Sequence, residues 1–148
     1  MHGVSLREVP LVLTLHTLSM EFLDFSEVVL TKQFLDHVCY GEPGDVDRGG
    51  HISGMKREGK TEFPASWDEE RIFWALRAVL DRPEYVQFEF PHIYLQRDVS
   101  GILIEIELKQ GKAGLVPFAA YPMYGEGVMQ NVLGNQHHIP HLDSRKGK

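Results

Sequence analysis

The run Ile102-Leu103-Ile104-Glu105-Ile106-Glu107-Leu108-Lys109 decides the fold class. Four apolar residues (Ile102, Ile104, Ile106, Leu108) alternate with Leu103, Glu105, Glu107 and Lys109. That period of two predicts a strand with one buried face and one wet face. Turn signals bracket it, Asp98-Val99-Ser100-Gly101 before and Gln110-Gly111-Lys112-Ala113-Gly114 after. Val86, Phe88 and Phe90 alternate in the same way upstream, and residues 115–121 give a third strand whose start is weakened by Pro117. Earlier in the chain the period changes to that of a helix. Ile72, Phe73, Leu76, Val79 and Leu80 form one apolar face. Ser66 is the expected cap, with Glu69 completing a capping box and Pro83 marking the stop. Phe22, Phe25, Val28, Val29 and Leu35 predict a second helix over residues 20–35, which delivers the chain to Asp36-His37. Leu11, Leu13 and Leu15 alternate as in a short strand. Helices first and antiparallel strands after specify an α+β domain, with N-terminal helices packed on a C-terminal antiparallel sheet.

Composition sets the outer limits. The chain has 148 residues, 43% hydrophobic and 24% charged, which suits one globular domain with its own core. Fifteen Lys and Arg against 21 Asp and Glu leave a net charge of -6. Nucleic-acid binding by bulk charge is therefore disfavoured, although a small basic cleft remains open to it. One cysteine, Cys39, excludes an intramolecular disulfide framework and a cysteine-based zinc site. No run approaches the ~20 apolar residues of a membrane span, so no membrane partner is expected. Arg7 and Glu8 precede the apolar residues 9–18 and no small-residue cleavage site follows, which disfavours a signal peptide.

The chemistry-bearing residues gather in a long, poorly periodic stretch over residues 41–66, punctuated by glycine and proline. His37 opens His37-Val38-Cys39-Tyr40-Gly41-Glu42, and His51 closes Gly49-Gly50-His51 fourteen residues on. A glycine-rich loop can fold back so that both imidazoles face one cleft, and its bare N–H groups can meet an anion. Two imidazoles can supply one base and one acid at neutral pH. The plainer alternative is two loop histidines without a shared role. Arg48, Lys56, Arg57 and Lys60 cluster beside them and suit a phosphate, or else form a solvated surface loop. Glu42 is placed to orient His37 or to shape the turn.

The series His37-Val38-x-Tyr40-Gly41-Glu42, Gly49-Gly50-His51, Gly59-Lys60-Thr61-Glu62-Phe63-Pro64-Ala65-Ser66-Trp67 and Tyr121-Pro122 resembles the EndoU endoribonuclease family. The likeness is closest to the bacterial branch found as C-terminal toxin domains of polymorphic and contact-dependent inhibition systems. It covers about residues 34–122. It implies a barnase, EndoU, colicin and RelE-like ribonuclease fold, with residues 31–125 as the catalytic core. Outside the resemblance, residues 1–30 read as an N-terminal strand and helix extension of the same domain, and residues 126–148, polar toward their end, as a flexible tail. It implies RNA cleavage by transesterification, giving 2′,3′-cyclic phosphate and 5′-hydroxyl ends, with tRNA among the candidate substrates. His51 would be the general base and His37 the general acid. A lysine would stabilise phosphorane charge, and Lys60 is the choice because it lies in the matching run, with Lys56 as competitor. Tyr121 would hold the base or ribose, the alternative being a core tyrosine at a strand end. Gly49, Gly50, Arg48, Lys56, Thr61 and Ser66 complete the expected substrate contacts. Where the family carries threonine or serine two residues before the tyrosine, this chain has Ala119, so uridine preference does not carry over.

The resemblance further implies an immunity protein as inhibitor, and delivery as the C-terminal part of a larger secreted protein that acts in the cytoplasm of a target cell. Some relatives use manganese; the two-histidine chemistry needs no cofactor. His137, His138 and His141 offer an alternative metal site for a hydrolase, with a flexible histidine-bearing tail as the plainer reading. A further alternative is a catalytically weak RNA-binding or regulatory module on the same fold. An acidic body with a local basic mouth predicts weak non-specific RNA affinity and a shallow salt dependence.

Overall fold

A computed structural model describes residues 24–142. The expected strand over residues 11–16, the start of the helix expected over 20–35 and the basic end of the chain lie outside those residues.

The first described helix, α1 (Lys32–Tyr40), begins later than the apolar spacing suggests. Thr31 is its cap, accepting from the Phe34 N–H at 3.0 Å. Phe25 and Val28 are buried, but through a turn in which the Val28 N–H donates to the Phe25 carbonyl. Their three-residue spacing therefore reflects a turn packed into the core rather than helix, and the helix expected from residue 20 is corrected to start after Thr31. The second helix, α2 (Glu69–Asp81), is capped by Asp68, which accepts from the Arg71 N–H at 2.8 Å. Ser66 does not cap it. The Trp67 N–H closes a turn onto the Pro64 carbonyl, and this turn consumes Ser66 three residues before the helix starts. Glu69 and Glu70 lie in the first turn, where the helix dipole favours negative charge.

Four antiparallel strands follow as a meander: β2 (Tyr85–Glu89), β3 (His92–Val99), β4 (Ile102–Gly111) and β5 (Gly114–Gly125). They succeed β1 (Thr61–Glu62), which belongs to a second sheet described below. Ile93, Leu95, Ile104, Ile106 and Leu108 on one face meet Ile72, Ala75, Leu76, Val79 and Leu80 of α2 in a single core. Phe25, Val28, Val38, Cys39, Phe63 and Val128 belong to the same core. This is an α+β fold with helices packed on an antiparallel sheet. The face of β4 expected to be wet is partly covered: Glu105 is buried and Glu107 lies 2.5 Å from His92. Pro117 is accommodated by a register shift between Glu107 and Leu108, which leaves Phe118 between paired neighbours.

The tail expected over residues 126–148 is ordered through its first part. β6 (Met129–Val132) and β7 (Asn135–His138) form a hairpin, and β6 pairs with β1, giving the order β1-β6-β7. Glu58 holds the hairpin turn by accepting from the Leu133 N–H at 2.6 Å and the Gly134 N–H at 3.1 Å. The anchor of this second sheet is the buried carboxylate of Glu62. It accepts from the Gly54 and Lys56 N–H groups and from the Asn131 and Gln136 side-chain amides. Burial alone would raise its pKa, but these four hydrogen bonds outweigh burial and hold it below its ordinary 4.5. The network's stabilisation is thus full above that value and is lost as pH falls through the folded value. Glu62→Ala orphans four donors and should cost about 2–4 kcal/mol at pH 7 by urea denaturation. The gap to wild type should narrow as pH falls below the ordinary 4.5 and through the lowered native value, where the native carboxyl takes up a proton.

Candidate active site

The last turn of α1 leaves carbonyl oxygens without helical partners. Here the returning loop supplies the donors. The Gly50 N–H donates to the His37 and Val38 carbonyls, the His51 N–H to Val38 at 2.7 Å, and the Ile52 N–H to Cys39 at 3.1 Å. This stitching carries His51 back to the helix end that bears His37. Gly49 makes it possible: a Cβ there would fall 2.0 Å from the His37 carbonyl oxygen, and its φ is +70°. A Cβ on Gly50 would lie 2.5 Å from the Arg57 side chain. Arg57 occupies that space because its guanidinium donates to the carbonyls of Tyr40, Asp45 and Arg48, which pins the intervening loop.

The two imidazoles have different surroundings. His37 places Nδ1 2.7 Å from Glu42 Oε2, and Phe34 stacks on its ring at 5.9 Å. The carboxylate keeps a proton on Nδ1, so Nε2 is the nitrogen that can exchange one. His51 is buried, with Nδ1 2.7 Å from the Thr61 carbonyl. A carbonyl only accepts, so Nδ1 carries the hydrogen and Nε2 keeps its lone pair. Burial lowers the His51 pKa from 6.5 to about 4, opposed by the Thr61 carbonyl and reinforced by the charges of Lys60 and His37. His51 is therefore neutral at neutral pH and can act as a base.

His37, His51, Lys60, Tyr121, Arg48, Gly49 and Thr61 line one hollow of about 440 Å³. Lys60 enters no ion pair among the described residues. The Tyr121 ring lies 5.8 Å from that of His51. Its hydroxyl donates to Glu105, which also accepts from the Gln96 amide at 2.8 Å. Burial, then Glu105, hold the Tyr121 phenol far above the ordinary tyrosine range, so it keeps its proton. What it offers the hollow is a ring and oxygen lone pairs. Ala119 also lines the hollow and brings no hydroxyl.

Three expected substrate contacts lie elsewhere. Lys56 is exposed outside the hollow, in a left-handed conformation (φ 54°) fixed by its N–H bond to Glu62. Of the two competing lysines, Lys60 is the one that lines the hollow. Gly50 is buried behind the hollow against Arg57, and Ser66 is exposed in the turn before α2. Asp47 and Phe118 line the hollow without having been expected. Phe118 had a sequence signal in the proline beside it, which forces the register shift; Asp47 had none.

Among the described residues no group of three His, Cys, Asp or Glu converges. Glu42 is engaged by His37, and His138 accepts from the Gly127 N–H at 2.8 Å within its own hairpin. Comparisons of the chain with protein-family models, with curated proteins and with solved structures found no match.

Two-dimensional NMR of the imidazoles tests the His51 assignment. His51 should show the Nδ1–H tautomer and titrate near 4, and Lys60→Gln should raise that value. A folded pKa below the ordinary 6.5 makes this contribution to stability full above pH 6.5 and lost as pH falls towards 4, in all about 3 kcal/mol. Stability of His51→Gln should be flatter than wild type across that window.

Proposed function

We propose that the hollow is the active site of an endoribonuclease that cleaves RNA by transesterification, without a metal in the reaction steps. The observation that carries this reading is the asymmetry of the two imidazoles in one hollow. One is buried, neutral and bare at Nε2; the other is held by a carboxylate at Nδ1; Lys60 stands beside them with no ionic partner among the described residues. His51 Nε2 takes the proton of the ribose 2′-hydroxyl, and the oxygen attacks the adjacent phosphorus. As the bond from phosphorus to the 5′-oxygen breaks, that oxygen takes a proton from His37 Nε2. The products are a 2′,3′-cyclic phosphate and a 5′-hydroxyl. Lys60 and Arg48 oppose the charge that builds on the phosphorane oxygens, where a fixed cation acts most strongly. Solvent then returns His51 to its neutral form and His37 to its protonated form.

The resemblance to EndoU toxins supports the same chemistry through His37, His51, Lys60 and Tyr121. It also supplies a setting: a toxin domain delivered on a larger secreted protein and restrained by an immunity protein.

Incubation with tRNA and total RNA should give cyclic-phosphate ends with or without EDTA. His51→Ala and His37→Ala should each lower cleavage by roughly 10²–10⁴-fold, and Lys60→Ala by roughly 10²–10³-fold. The acid limb of kcat/KM should fall near pH 4, because His51 titrates there. Undiminished cleavage by His51→Ala would sink the mechanism. Binding of RNA without cleavage would favour the RNA-binding module instead.

A further inference from the structure

The catalytic hollow is not closed at its His37 end. It shares His37, Arg48 and Phe118 with a second hollow of about 260 Å³, whose other walls include Thr31, Gln33, Phe34 and Pro117. His51, Lys60 and Tyr121 do not reach the second hollow. The two therefore meet at the acid and lie apart from the base. In the transesterification proposed above, the 2′-hydroxyl side of the scissile phosphate belongs to His51 and the departing 5′-oxygen to His37. The nucleotide that departs must extend away from His37 on the side opposite His51.

We propose that the second hollow is the subsite for the nucleoside immediately 3′ of the cut, and that Phe34, Phe118 and Gln33 set the preference for its base. This rests on the ribonuclease reading of the first hollow. Phe118 is 39% exposed, and the bulge at Pro117 places it there. Arg48 lies 5.7 Å from the centre of its ring and Lys109 lies at the same distance. An aromatic ring flanked by cations suits a base stacked next to a phosphate. Phe34 stacks on His37 itself, so a base resting against Phe34 is in register with the acid. Gln33 is exposed, and its amide has no hydrogen-bond partner among the described residues. It carries both a donor and an acceptor and can read a base edge.

The track is short. A third hollow of about 440 Å³ shares Thr31, Phe34 and Pro117 with the second. Its walls carry Glu27 and no lysine, arginine or histidine. Nothing there would hold a further phosphate, so one downstream nucleoside accounts for the recognition on this side.

The test compares two substrates with the same cleaved nucleoside, chosen from the cuts the wild type makes in RNA. One is the nucleoside 3′-methyl phosphate and the other a dinucleoside monophosphate; both expel an alkoxide. For the wild type, kcat/KM should favour the dinucleoside by about tenfold or more, the effect expected of one stacked base. Phe118→Ala should shrink that ratio severalfold, and Gln33→Ala should flatten the ranking among the four downstream bases. Adding a second downstream nucleotide should gain no more than about twofold, since its phosphate meets no cation. Circular dichroism of both variants checks that these exposed positions leave the fold intact. A wild-type ratio near one, or a ratio and ranking unchanged in both variants, would overturn the subsite while leaving the ribonuclease reading in place. Failure of the wild type to cleave either substrate or RNA, or cleavage that survives His51→Ala, would overturn the ribonuclease reading and the subsite with it.

Discussion

The amides of Gly50, His51 and Ile52 close onto the carbonyls of His37, Val38 and Cys39, and the rest of the site depends on that seam. A helix end and a returning loop each carry backbone groups that must find partners when buried. Here each satisfies the other. The seam fixes the distance between the two histidines through main-chain hydrogen bonds, which tolerate less play than contacts between long side chains. Gly49 lets the strands of the seam approach, and Arg57 locks the intervening loop by gathering three carbonyls. A residue that looks like a phosphate ligand in the sequence is thus a structural clamp.

The chemical difference between the histidines follows from their partners in the same seam. His51 continues inward to β1, where the Phe63 N–H donates to its carbonyl and the Thr61 carbonyl takes its Nδ1–H. His37 lies at the helix end, where Glu42 reaches its Nδ1 after the turn at Gly41. Burial and a neutral acceptor favour an uncharged ring, while a carboxylate can accompany a charged one. The two rings thus differ through the groups the fold sets beside them. The buried Glu62 network anchors one wall of the same hollow, because Thr61 is carried on the strand it holds and Lys60 directly precedes that strand.

Much of this was legible in the sequence, for identifiable reasons. The β4 alternation and the apolar face of α2 are strong periodic signals, and they gave the α+β class. The paired histidines, Gly49, Arg48, Lys60, Thr61 and Tyr121 meet in one hollow because glycine spacing marks where backbone must approach backbone. The misreadings share a cause, which is that side-chain identity does not reveal who the partner is. Ser66 and Asp68 are both good caps, and the turn at Pro64 decided between them. Phe25 and Val28 fit a helix face as well as a buried turn. Lys56 and Lys60 have the same charge, but the N–H of Lys56 serves Glu62 and turns its side chain out of the hollow. The β6–β7 hairpin was hidden because its residues are mostly polar; its hold comes from Glu58 and Glu62, with bonds that span more than seventy residues from each. β3 escaped notice because Ile93 and Leu95 make too short an apolar alternation to stand out.

Cys39 lies at the inner end of the seam, fully buried, with its thiol pushed up to about 12 by the loss of solvent. It is the chain's sole cysteine. A thiol that is both inaccessible and protonated does not compete for alkylating reagents while the fold is intact. A cysteine introduced on the surface would therefore be the single reactive handle on a molecule whose core is untouched. Fluorophores or spin labels can be placed around the rim of the cleft without first removing the native sulfur, so the site can be watched in a protein whose own chemistry is unaltered.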